Sequence, residues 1–153
     1  LLAPVRPDTP DYYLETEFEL VAYTGNTTFT ASCGFGVCLR CEDRTGIRVG
    51  HYASCGLLQL GGAETMEDGA SYGLFAANAD GFRSSSLLDE AFFRPRKELH
   101  LLRVEARGNH YLAYLDGALT LEFTDNTALT PGRVGLWVDQ AQLNVHSFTV
   151  DWL

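Results

Sequence analysis

The sequence predicts an all-β protein built from two packed antiparallel sheets, and three observations predict it. Short apolar stretches alternate with polar residues at a period of two, the signature of strands with one buried and one solvated face. Gly108-Asn109, Asp116-Gly117 and Pro131-Gly132 punctuate the last third of the chain, as tight turns between neighbouring strands require. No stretch carries the 3.6-residue period of a long amphipathic helix, so the apolar faces of the strands must be covered by other strands.

The elements follow in chain order. Pro4, Pro7 and Pro10 keep the lead-in out of a sheet interior. From Tyr12 to Tyr23, Leu14, Thr16, Phe18 and Leu20 share one face and Glu15, Glu17 and Glu19 the other, which predicts a half-buried strand. Residues 25–28 form a turn in which Asn26 heads an N-x-T glycosylation sequon. Phe35, Val37 and Leu39 mark the next strand, 42–46 (EDRTG) its turn, and Ile47, Val49 and Tyr52 the return. Residues 56–60 extend that strand or begin another. Between 61 and 81 the period weakens, with a strand expected at 71–77. The segment 82–98 reads as a connection with a short helical turn at 87–93.

From residue 99 onwards the pattern is clear. Leu102, Val104 and Ala106 oppose Arg103, Glu105 and Arg107; residues 111–115 are apolar on both faces; Leu119, Leu121 and Phe123 alternate with polar neighbours. Val134, Leu136 and Val138 form one more apolar face. The last strand sets His146, Phe148, Val150 and Trp152 together.

The totals bound the function. A chain of 153 residues suits one domain spanning 1–153. No apolar run reaches the roughly 18 residues that span a bilayer, so no membrane insertion is expected within the segment. A net charge of −9 disfavours nucleic acid, and the one basic knot, Arg94, Arg96 and Lys97, reads as a solvated loop. The acidic balance fits an exported protein, extracellular, periplasmic or at the cell surface. It would also suit calcium, although no loop motif for that ion is present. The opening residues lack signal-peptide grammar, so a segment cut from a larger parent protein is expected.

The blocks GFGVCLRCED (34–43), LRVEARGNHYLAYLDG (102–117), GRVGLWV (132–138) and VHSFTVDW (145–152) resemble the concanavalin A-like lectin/glucanase superfamily, in particular its laminin-G-like and DUF1080 (3-keto-disaccharide hydrolase-like) domains. The resemblance implies a jelly-roll sandwich. The N-terminal strand usual in such domains is short or missing here, which implies either a truncated domain or completion by neighbouring residues. A non-catalytic, carbohydrate-binding extracellular module is the expected function. The alternatives are a glycoside hydrolase or 3-keto-glycoside-processing enzyme, and a sensor or adhesion module that binds protein.

Residue chemistry supplies the candidate sites. ETEFE (15–19) is similar to the E-x-D-x-E strand of laminarinase-type glycosidases with Glu17 in the middle, and alternate carboxylates on one strand face can line a cleft. Saccharide recognition needs flat aromatic faces for the ring and polar groups for the hydroxyls. Trp137, predicted on the face opposite Val134, Leu136 and Val138, meets that need with Asp139 beside it; Tyr111 and Tyr114 are expected on the same surface, with Tyr52 and Tyr72 as further aromatics. His51, His100, His110 and His146 have no metal-ligand spacing. Cys33, Cys38, Cys41 and Cys55 suit disulfides better than zinc. A hairpin centred near Arg44 would put Cys33 opposite Cys55, leaving Cys38 to reach Cys41 through a bulge or turn; all three pairings remain formally open.

Overall fold

A computed structural model describes residues 5–24, 32–42, 45–54, 71–80, 83–91, 98–126 and 132–153. Among the described residues there are ten strands: β1 (Tyr12–Tyr23), β2 (Ser32–Glu42), β3 (Thr45–Ser54), β4 (Ser71–Asp80), β5 (Arg83–Ala91), β6 (Leu99–Arg107), β7 (His110–Leu115), β8 (Ala118–Thr124), β9 (Arg133–Asp139) and β10 (Ala141–Trp152). Two five-stranded antiparallel sheets result, ordered β10-β1-β6-β7-β8 and β5-β4-β3-β2-β9. The chain starts in the first sheet, builds four strands of the second, returns for β6 to β8, then adds one edge strand to each sheet. Among the described residues no helix is long and apolar enough to cross a membrane.

The period-two pattern decides which side chains meet between the sheets. Leu14 and Phe18 of β1 and Leu102 and Val104 of β6 pack from one side, against Phe35 and Val37 of β2 and Val49 of β3 from the other. Phe18 meets Phe35 edge-on at 5.1 Å between ring centroids, a favoured aromatic geometry that ties the sheets together. The glutamates of β1 face outward, as its alternation requires. Buried Arg40 closes one end of the sandwich: its side chain donates to the carbonyls of Pro10 and Gly108 and lies over the Tyr111 ring at 5.4 Å.

Four local expectations change. The segment 83–91 is strand β5 rather than a connection with a helical turn, because β4 needs a partner for its outer row of backbone groups; an edge position tolerates its serines. Residues 92 and 93 lie outside the described residues, as do 25–28 with the Asn26 sequon, 56–60 and the basic knot at 94–97. In β10, Glu17 pairs with Ser147 but Phe18 pairs with Val145, so His146 is the extra residue of a bulge and points to solvent. The face expected to unite His146 with Phe148, Val150 and Trp152 is therefore broken.

The third change concerns register. Cys33 lies opposite Ala53, not Cys55, because Glu42 already pairs with Thr45 and an irregularity between Leu39 and Glu42 displaces the hairpin. Cys55 and the Cys33 side chain lie outside the described residues. Fourth, Cys38 and Cys41 are free thiols, which corrects the expected bridge between them. The bulge that such a bridge needs is present, with Arg40 at φ 49°. It brings the two sulfurs into a hydrogen bond instead. That bond lowers the Cys38 pKa and, together with burial, raises that of Cys41.

Candidate ligand-binding face

The outer face of the second sheet is shaped by glycine. Gly36 of β2 lies opposite both Gly50 of β3 and Trp137 of β9, so the row beside the indole carries no side chain on two consecutive strands. A Cβ on Gly36 would collide with the Val49 carbonyl oxygen, and one on Gly50 with that of Phe35. The floor can therefore be built only from glycine, whose missing side chain permits this backbone approach.

That bare row allows a long reach. Arg48 projects from β3 and pairs in register with Cys38, one row from Gly50, yet its guanidinium sits over the Trp137 ring at 5.6 Å from the centroid. The cation lies over the electron-rich ring face, and both residues remain partly exposed. Exposed Asp139, opposite Gly34, stands one row further along the same face. The face thus carries an indole with a guanidinium over its ring and a carboxylate one row away. Val134 is buried and Leu136 packs on the core, which leaves Trp137 on the outer side, as the alternation predicts.

Two of the other aromatics expected beside Trp137, Tyr111 and Tyr114, are elsewhere. Tyr111 is in the core at 0% exposure, stacked on Phe123 with 5.0 Å between ring centroids, so no ligand can reach it. Burial drives its hydroxyl pKa up to about 12, although the Arg40 charge pulls the other way. The apolar character of β7 concealed this split: Tyr111 and Ala113 face the core, whereas Tyr114 faces out from the first sheet. Tyr52 and Tyr72 belong to β3 and β4, and their side chains lie outside the described residues.

Glu15, Glu17 and Glu19 line the outer face of the first sheet, each engaged by a neighbour. Glu15 pairs with Arg103 at 3.4 Å, Glu17 accepts from the Ser147 hydroxyl at 3.2 Å, and Glu19 accepts from the Asn144 amide at 3.3 Å. Sequence reading missed Glu105, the more deeply placed carboxylate of that face, with Arg103 at 3.1 Å on one side and Arg107 at 2.8 Å on the other. Burial acts to raise its pKa, but the two guanidinium groups outweigh burial and lower it. Its place in the R-V-E-A-R alternation was the available signal. Among the described residues no group of three or more His, Cys, Asp or Glu side chains is arranged to hold a metal ion.

No protein-family profile matches the chain, and no curated protein matches it in sequence. Solved structures do match in shape. A carbohydrate-binding module, CBM66 from Bacillus subtilis, superposes with a TM-score of 0.60 at 15% identity, covering 98% of this chain and 79% of that one. The Caenorhabditis elegans galectin LEC-6 gives 0.63 at 14% identity, covering 99% and 89%. A toad ovary galectin in complex with thio-digalactose gives 0.62 at 12% identity, covering 98% and 96%. At these identities the likeness establishes a shared fold, the jelly-roll sandwich of the concanavalin A-like type, and none of these neighbours is a laminin-G or DUF1080 domain.

Proposed function

We propose that this protein is a carbohydrate-binding module and that its ligand lies on the outer face of the second sheet. The observation that carries the reading is the partly exposed Trp137, with the Arg48 guanidinium over its ring, the Gly36–Gly50 row beside it and Asp139 on the same face. A pyranose presents an apolar face of C–H groups and a rim of hydroxyls; the indole suits the first, and the Asp139 carboxylate as an acceptor suits the second. Neighbours in shape support the ligand class, since their descriptions name a carbohydrate-binding module and a galectin bound to thio-digalactose. The proposal includes a non-catalytic role and an exported location, the latter supported by the net charge of −9.

The chain has two tryptophans, so Trp152→Phe leaves Trp137 as the sole indole reporter. Titration of that variant with thio-digalactose and with methyl glycosides of glucose, galactose and mannose should give a saturable change in emission. Calorimetry on Trp137→Ala should show the binding diminished by the share that this face contributes. Unchanged emission throughout, or calorimetric binding that survives Trp137→Ala undiminished, would overturn the reading.

A further inference from the structure

The opposite side of the sandwich carries a second concavity. A cleft of about 300 Å³ opens on the outer face of the first sheet, lined by Leu101, Arg103, Glu105, Tyr114 and Gly117. Such a volume lies at the small end of ligand pockets, which are typically roughly 300 to 1,000 Å³. We propose that this cleft is a second saccharide site, independent of the Trp137 face, taking a single uncharged sugar ring.

The case rests on how the lining is held. Arg103 lies over the Tyr13 ring at 3.8 Å and donates through Nε to Glu105 and through Nη1 to Glu15. Arg107 fixes the second Glu105 oxygen at 2.8 Å. The guanidinium is thereby oriented before any ligand arrives, and its Nη2 amino group takes no protein acceptor among the described residues. A preoriented donor loses little conformational freedom on binding.

Charge and shape select the ligand class. Arg103 and Glu105 neutralise each other within the lining, and Glu15 further offsets the cation, so neither an anion nor a cation gains strongly by entering. Partly exposed Tyr114 and Leu101 give the cleft an apolar wall. Gly117, at φ 82° with no atom within 4 Å of where a Cβ would stand, leaves one side open. An apolar wall beside a spare N–H pair suits a neutral, hydroxyl-rich ring. With Trp137 on the opposite face, one chain would then hold two glycans on opposite sides and could bridge them without forming a dimer.

The test uses the full chain labelled with nitrogen-15 and titrated with the methyl glycosides of glucose, galactose and mannose. At least one sugar should shift the backbone amides of Leu101, Tyr114 and Gly117, and Tyr114→Ala should weaken that response about tenfold. Trp137→Ala should leave it unchanged. Shifts confined to the Trp137 indole and its neighbours would overturn the second site and leave the first standing. Shifts confined to the cleft would support the second site and overturn the Trp137 reading. No shift at Leu101, Tyr114 and Gly117 with any of the sugars, or a cleft response unaltered by Tyr114→Ala, would overturn the inference.

Discussion

The two outer faces of the sandwich solve the same problem in opposite ways. The second sheet has a buried row without side chains at Gly36 and Gly50, and beside it one cation–aromatic pair, Arg48 over Trp137. The first sheet presents a dense lattice of side chains, with Glu15, Arg103, Glu105 and Arg107 linked in series between Tyr13 and Tyr114. Glycine gives the first arrangement its flatness at a cost in tolerance, whereas the second is a network in which single changes are shared among neighbours. A broad aromatic plate results on one side and a small preorganised cleft on the other.

The comparison is broken most strongly at the floor. Gly36→Val places a branched side chain against the Val49 carbonyl and should cost about 3 kcal/mol or more, or abolish folding, as read by urea unfolding. Gly117→Ala on the other side meets open space and pays only for its positive φ, about 1 kcal/mol. Comparable losses in the two variants would contradict the contrast. Between the faces, Tyr111→Ala should cost about 3 to 5 kcal/mol and leave sugar affinity unchanged in the folded fraction, because the ring is core. A selective loss of binding with intact stability would put that tyrosine at the ligand.

A smaller effect sharpens the lattice side. Glu105→Gln should cost about 1 to 2 kcal/mol at pH 7 through weakened charge-assisted bonds. Because the Glu105 pKa is lowered in the folded state, its contribution is complete above the ordinary carboxylate value and disappears as pH falls through the depressed one. The wild-type protein should therefore lose more stability than Glu105→Gln between pH 5 and about 3, as unfolding curves at both values would reveal. Smallest of all, Asp116→Asn should cost under about 1 kcal/mol. Asparagine tolerates the φ of 51° at that turn and still accepts from the Leu101 amide, while the 2.8 Å contact with His100 loses its charge.

The two-sheet architecture was legible because alternation is a local property: Leu14 to Leu20 and Leu102 to Ala106 declare their buried face residue by residue. Trp137 could be placed on an outer face by the same rule. What alternation cannot report is which sheet a strand joins, so Tyr114 and Trp137, both predicted outward, were assigned to one surface although β7 and β9 belong to different sheets. Tyr111 was misjudged because a strand apolar on both faces does not mark its inner one. The weak period of residues 83–91 hid β5, an edge strand whose position depends on pairing with β4 rather than on its own pattern. The bulge at Arg40 shifted the cysteine register for a similar reason, since a single residue at positive φ leaves no periodic trace.

The proposed saccharide site at Trp137 stands or falls on whether glycans bind there. A glycan array probed with wild-type protein and with Trp137→Ala, both matched for folded concentration, tests it most directly. The wild type should bind a defined set of glycans, and the variant should lose signal for those that occupy this face. A wild-type protein that binds no glycan, or a variant whose binding profile is unchanged, would contradict it.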